Sequence, residues 1–191
     1  MRGHPTQPGD SCFRLGLIWL AFSLTAPAAT VAQPSISAEN DAILDQVYAE
    51  AQILSAALVD GDFPLLMEKI HPSVAIFMGG KEGAIEAFDS NRRDNLANGI
   101  RTTAVVPVRA TTVHRSEEAI LVVTPYTMTV ESQDQVQTTE SYFIQARVPD
   151  SEDWVYVDAL VMPSEEKTRW LFPSLPEDVD LPQIQNQVRS K

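Results

Sequence analysis

Cysteine and histidine are scarce in this 191-residue chain, which contains one cysteine and three histidines. Cys12 lies in an N-terminal segment that we expect to be removed, so the mature protein has no disulfide, thiolate metal site or cysteine nucleophile. His71 and His114 lie far apart, without the paired spacing typical of a metal site, so we expect no bound metal. The sequence also lacks glycine-rich nucleotide-binding and nucleophile-elbow motifs, and we expect no cofactor.

Basic residues are in the minority, with 14 lysines and arginines against 26 aspartates and glutamates, a formal net charge of −12. An acidic surface of this kind repels nucleic acid and anionic lipid, so neither is an expected partner. Without disulfides the fold must rest on core burial, which a single domain of about 150 residues can supply.

The beginning of the sequence has the order of a secretory signal peptide. Arg2 and Arg14 come first, the apolar run Leu15–Leu24 follows, and small residues continue to Ala32. The alternative is an uncleaved membrane anchor, but a spanning helix needs about 20 consecutive apolar residues. We therefore expect cleavage near Ala32 and a periplasmic or secreted protein that is free of the membrane.

Apolar spacing predicts three helices early in the mature chain, at about 35–59, 63–70 and 81–97. The short apolar segment 74–78, between the second and third of these helices, is predicted to be a strand. Segments 102–114, 119–131, 137–148 and 154–161 are rich in β-branched and aromatic residues, and their short links predict antiparallel pairing. The layout is α+β, and the helices must cover one face of the sheet. The expected organisation is a signal peptide at 1–32, a linker at 33–37, an α+β domain at 38–172 and a proline-rich flexible tail at 173–191.

Four local strings, in this order and spacing, carry a family resemblance: Ser55–Asp62, His71–Phe77, Gly80–Phe88 and Trp154–Asp158. Over about 40–162 the chain resembles the nuclear-transport-factor-two-like superfamily, which includes ketosteroid isomerases and polyketide cyclases. The resemblance implies three N-terminal helices on a curved antiparallel sheet of about four long strands plus one short strand. It also implies a cone shape with a central pocket.

The chain departs from this family at the catalytic positions of the isomerases. They place an aspartate base just after the second helix, where this chain has no carboxylate between Ile70 and Lys81. They use a tyrosine on the first helix, where this chain has about Leu54. The chain therefore resembles a divergent member that lacks the isomerase catalytic residues, since Met78 and Leu54, which stand near these two positions, cannot shuttle protons.

Asp158 is the sharpest catalytic candidate, because the resemblance points it into the pocket and a carboxylate on an apolar inner face needs a partner. Arg92 lies on the apolar stripe of the third predicted helix and is a candidate to hold Asp158, Glu140 or an anionic ligand. The alternatives are a solvated rim position for Asp158 and an Arg92 whose stem merely covers apolar surface.

Strand alternation supplies the remaining candidates for a pocket wall. On the third strand it predicts that Ser141 and Gln145 point outward and that Glu140 and Tyr142 point inward. The proposed ligand-binding residues are Phe77, Met78, Arg92, Tyr126, Met128, Glu140, Tyr142 and Tyr156. For Phe77, Met78, Met128, Tyr126 and Tyr142 the alternative is a plain core position.

Three functional hypotheses remain open. The first is an exported protein that binds a small, largely apolar molecule. The second is a non-catalytic module that uses its sheet for homodimerisation or for a protein partner, with Val105 and Val123 exposed on the outer face. The third is an acid–base isomerase or dehydratase that uses Asp158. The residues alone do not decide whether the protein is an enzyme.

Overall fold

The computed structural model of the chain describes residues 36–149, 151–162, 164–173, 175–177 and 179–191. The predicted signal peptide at 1–32 lies outside the described residues. The helices are α1 (Ile36–Asp60), α2 (Phe63–Lys69), α3 (Pro72–Phe77), α4 (Lys81–Ala97) and α5 (Glu165–Leu171). The strands are β1 (Arg101–Pro107), β2 (His114–Arg115), β3 (Ile120–Glu131), β4 (Gln135–Arg147), β5 (Val155–Asp158) and β6 (Gln185–Ser190).

The named strands form one antiparallel sheet with the order β1-β3-β4-β5. The sheet curls into a half-barrel. Strand β2 pairs with β3, and β6 pairs with the N-terminal part of β4, whose C-terminal part pairs with β5. The predicted α+β class with an antiparallel sheet is confirmed.

Helix α1 is the central helix of the fold. Its apolar positions recur every three or four residues, so that Val47, Ala51 and Leu54 share one buried face. By length and composition alone α1 could cross a membrane. Here the side-chain amide of Gln145 on β4 donates to the Val47 carbonyl at 3.0 Å, which attaches α1 to the concave side of the sheet.

The predicted helix boundaries around 60–100 are confirmed. The Asp62 side chain accepts a hydrogen bond from the Leu65 amide at 3.2 Å, which caps α2 as its sequence indicates. Helix α4 ends at Ala97, and Gly99 follows with a φ of 71°, a conformation that glycine adopts without a steric penalty.

The strand predicted at 74–78 is wrong, because Pro72–Phe77 forms the short helix α3. Pro72 stands at the first helical position, and the His71 ring nitrogen Nδ1 accepts from the Ser73 amide at 3.3 Å. In such a short apolar run the periodicity of the residues does not distinguish a strand from a helix. The residues that cap the segment, His71 and Pro72, therefore favour the helix.

The segment after α5 belongs to the folded domain and is not the flexible tail that its composition predicts. Leu175, Val179 and Leu181 are buried in the main core cluster, and β6 adds a strand to the sheet. Val179 of this segment lines a surface depression together with Val123, which lies on the face of the sheet opposite to the one that contacts α1.

The outer face of the sheet therefore differs from the one expected for a dimerisation module. Val105 pairs with Met128, faces the concave side and is only 9% exposed. Val123 is half-buried. Homodimerisation through the sheet stays a prediction, and these two valines do not offer an open apolar face for it.

Candidate functional site

The concave face of the sheet carries a buried polar cluster at its centre. Tyr126 on β3 lies opposite Ser141 on β4, while Phe143 lies opposite Asp158 on β5. The Tyr126 hydroxyl donates to Asp158 Oδ1 at 2.7 Å, and the Leu160 amide donates to the same oxygen at 2.9 Å. Both side chains are buried, so this is an internal tyrosine–carboxylate pair.

Burial dominates the electrostatics of this pair. It raises the pKa of Asp158 from 3.8 to about 6, although the hydrogen bonds from Leu160 and Tyr126 favour the ionised form and oppose the rise. Burial also raises the pKa of Tyr126, and the neighbouring Asp158 charge adds to that effect. The pKa of Tyr156 rises for the same two reasons. Asp158 is thus the group of the cluster that titrates near neutral pH.

The direction of β4 side chains is opposite to the one predicted from alternation. Ser141 and Gln145 face the concave side, whereas Tyr142 lies on the other face, near Glu165 and Arg169 of α5. Alternation fails here because both faces of β4 are covered, so apolar residues do not mark the concave one. The side-chain oxygen of Gln145 has a hydrogen-bond partner on this face, since it accepts from the Thr124 hydroxyl at 2.8 Å.

Other predicted pocket residues lie away from the cluster. Glu140 is exposed and pairs in register with Gln185 of β6. Phe77 is 66% exposed at the end of α3, with the Lys167 amine 5.7 Å from its ring centre. Met78 follows it and packs half-buried against the core. Because 72–77 is helical, neither Phe77 nor Met78 lies on a strand that faces the pocket.

The structure does not bring Arg92 to Asp158. The Arg92 guanidinium donates to the backbone carbonyl of Asp60, and also to that of Val59 at 3.4 Å. These are among the last carbonyls of α1, which have no partner within the helix. Arg92 therefore attaches α4 to the C-terminal end of α1.

A cavity of about 300 Å³ opens between the end of α1, α4 and the ends of β1 and β3. Met128 lines it, two residues beyond Tyr126 on the same face of β3. Its apolar wall consists of Leu58, Val59, Phe63, Phe88, Leu96, Ile100, Met128 and Val130, and its polar part of Asn91, Arg92, Asn95, Arg101 and Thr102.

Arg92 and Met128 are the two predicted ligand-binding residues that line this cavity. The other residues of the cavity wall were not among the predicted ligand-binding residues. One signal pointed to them, the apolar stripe of α4 that includes Phe88 and Leu96. Asp158 and Tyr126 do not line the cavity, and at 7% and 2% exposure both are buried.

Within the described part of the chain, no group of three or more histidine, cysteine, aspartate or glutamate side chains is placed to hold a metal ion. In comparisons with protein-family models, curated proteins and solved structures, nothing matched this chain. The geometry itself defines a class: an α+β domain whose curled antiparallel sheet packs on one long helix and carries a largely apolar cavity at one end.

Proposed function

We propose that this protein binds a small, largely apolar molecule in the cavity between α1, α4 and the sheet. The observation that supports this proposal is the cavity itself, which has a volume of about 300 Å³ and a wall formed mainly by aliphatic and aromatic side chains. Small-molecule sites in proteins share this combination of concavity, apolar lining and a few polar groups. The ring of Phe88 stacks on that of Phe63 at 5.3 Å, which fixes α4 over the cavity.

The proposal includes a divergent relationship to the nuclear-transport-factor-two-like superfamily, with a cone-shaped domain and its pocket at the open end. Three features support it: the four local sequence strings, the long helix on the concave face of a curled sheet, and a cavity at one end of that helix. Fold analogy does not by itself define a ligand, so the binding proposal rests on the cavity.

Binding is tested with the neutral fluorescent probe N-phenylnaphthylamine, whose emission rises in an apolar site. We expect saturable binding by the wild-type protein and at least tenfold weaker binding by Met128→Trp. The larger side chain would occupy the cavity from the sheet side, because Met128 forms part of its wall. Circular dichroism would establish that the variant is folded.

A milder pair of substitutions provides a matched control. Leu96 and Ile53 are both on helices and both 47% exposed, but Leu96 lines the cavity and Ile53 does not. Leu96→Gln should weaken probe binding severalfold, whereas Ile53→Gln should leave it unchanged, since only Leu96 offers apolar surface to the ligand. Equal affinities for wild type, Met128→Trp and Leu96→Gln would overturn the proposal.

We also propose that the protein acts outside the cytoplasm, after removal of residues 1–32. The order of charged, apolar and small residues before Gln33 supports this. Expression of the full chain with a C-terminal tag in a secreting host should yield a product that begins at Gln33, as read by intact mass spectrometry. Leu17→Asp with Leu20→Asp should block cleavage, because charges disrupt the apolar region. A wild-type product that retains its first residues would contradict the proposal.

A further inference from the structure

The cavity has a charge that differs in sign from that of the protein as a whole. The chain carries 26 acidic and 14 basic residues, yet the residues that line the cavity include two arginines and no carboxylate. A cleft with one sign of charge and apolar walls concentrates its potential on the ligand that enters it. This local reversal indicates a ligand with a negative group.

Arg101 is the arginine that is placed to meet such a group. It begins β1 at the end of the sheet, next to the cavity, and its register partner is Glu131. The Glu131 carboxylate is bound by the Lys191 amine at 2.8 Å, and chiefly that hydrogen bond lowers the pKa of Glu131. The Arg101 charge also contributes, less than Lys191 does, to lowering the pKa of Glu131. Arg101 nevertheless forms no ion pair within 4.0 Å with the residues that the structure describes, so its guanidinium is not held by a carboxylate.

The second arginine contributes charge but has little freedom to move. The Arg92 guanidinium already donates to the carbonyls at the end of α1. Beside it on α4, the Asn95 side-chain amide donates to the Asn91 side-chain oxygen at 2.7 Å. This bond does not use the amide hydrogens of Asn91, which are donors available to an anion.

We propose that the ligand is a carboxylate-bearing amphiphile. Its apolar body would lie among Phe63, Phe88 and Met128, and its carboxylate would lie at the mouth of the cavity, bound by Arg101 and Asn91. The planar guanidinium suits this role because it can donate two parallel hydrogen bonds to a carboxylate. This inference rests on the proposed binding function and specifies the chemical class of its ligand.

The experiment compares three probes of eight carbons each, with an anionic, a neutral and a cationic head group: octanoate, octanol and octylamine. Titrations are followed by amide chemical shifts of the ¹⁵N-labelled mature protein, which report both the affinity and the location of binding. At low ionic strength and neutral pH we expect octanoate to bind about tenfold more tightly than octanol, and octylamine to bind most weakly. Added salt should weaken octanoate binding and leave octanol binding unchanged.

Arg101→Gln should reduce the octanoate affinity to that of octanol without changing octanol binding. Arg115→Gln is the control, because Arg115 is an exposed arginine on β2 that pairs with Glu39 at 2.8 Å and does not line the cavity. Equal binding of octanoate and octanol by the wild type would overturn the carboxylate inference and leave the binding function standing. If none of the three probes shifted the cavity residues, both proposals would fail.

Discussion

Asp158→Asn is expected to remove a pH dependence of stability that totals about 3 kcal/mol, of which about 2 kcal/mol falls between pH 4.5 and pH 7.5. The pKa of Asp158 lies at about 6 in the folded protein and near 3.8 in an unfolded chain, and one pKa unit corresponds to about 1.4 kcal/mol. Asparagine keeps an acceptor oxygen for the Tyr126 hydroxyl and the Leu160 amide but does not titrate. The variant should therefore be at least as stable as the wild type at pH 7.5.

The sign follows from which state holds the proton. Below about pH 4 the carboxyl is protonated in both states, and its burial carries no charge penalty. Between about pH 4 and about pH 6 the unfolded chain releases the proton while folded Asp158 retains it. The free energy of unfolding therefore falls as the pH rises through this window. Above about pH 6 both states are ionised and the loss stays constant.

Urea unfolding of the wild type and Asp158→Asn at several pH values from 4.5 to 7.5 would test this expectation. The difference between the two proteins isolates Asp158, because other carboxylates titrate equally in both. Glu131, whose pKa is lowered by Lys191, is one such group with the opposite sign. Parallel stability curves for the two proteins would show that Asp158 is not the titrating group.

Within the same experiment, Tyr126→Phe should lower stability by about 1–3 kcal/mol at pH 7.5, since it removes a buried hydrogen bond to an ionised carboxylate. The loss should shrink at pH 4.5, where the carboxyl is neutral and the bond is weaker. Tyr142→Phe is the control, because Tyr142 lies on β4 on the other face of the sheet from Tyr126. The stability loss of this variant should not depend on pH in this way.

Gly61→Ala is expected to lower the free energy of unfolding by about 2–3 kcal/mol. Gly61 joins α1 to α2 with a φ of 73°, a left-handed conformation that costs an alanine about 1–2 kcal/mol. The Arg92 guanidinium occupies the space that an alanine Cβ would need. Its displacement would remove hydrogen bonds to the α1 carbonyls, for about 1 kcal/mol more.

Gly99→Ala separates these two effects. Its φ is 71°, but the nearest neighbour of an added Cβ is the Gln133 side chain at 3.4 Å, an ordinary contact. Gly99→Ala should therefore lower the free energy of unfolding only by the cost of the left-handed backbone conformation, about 1–2 kcal/mol. In a protein that already carries Arg92→Gln, Gly61→Ala should lower the free energy of unfolding no more than Gly99→Ala does. The reason is that the hydrogen bonds from Arg92 to the α1 carbonyls are already absent. Equal losses for both glycines in the wild-type background would mean that Arg92 does not restrict Gly61.

Asp158 could be identified from the sequence, but its surroundings could not. Its polarity within an otherwise apolar strand marked it as unusual, and the structure places it in a buried pair with Tyr126. The expected partner Arg92 instead binds backbone carbonyls at the end of α1. Helical spacing correctly placed Arg92 on the stripe of α4, but it could not indicate what that stripe faces.

Features that depend on neighbours along the chain could be predicted from the residues alone. Apolar periodicity placed α1 and α4, the Asp62 cap and the proline after it placed α2, and the polar turn before Gln135 placed the β3–β4 hairpin. Each of these signals acts over a few residues, through capping, backbone preference or the repeat of one face.

Which faces of the elements are covered, and which distant residues come into contact, depends on the packing of the whole domain. Leu175, Val179 and Leu181 are buried in the core cluster that includes Tyr142, despite the prolines and polar residues around them, and β6 pairs with β4. That coverage makes alternation ambiguous and turns Ser141 and Gln145 toward α1. The cavity likewise arises where α1, α4 and two strand ends leave space between them. The size and position of such a cavity depend on long-range packing. A local sequence pattern contains no information on how distant segments pack against each other.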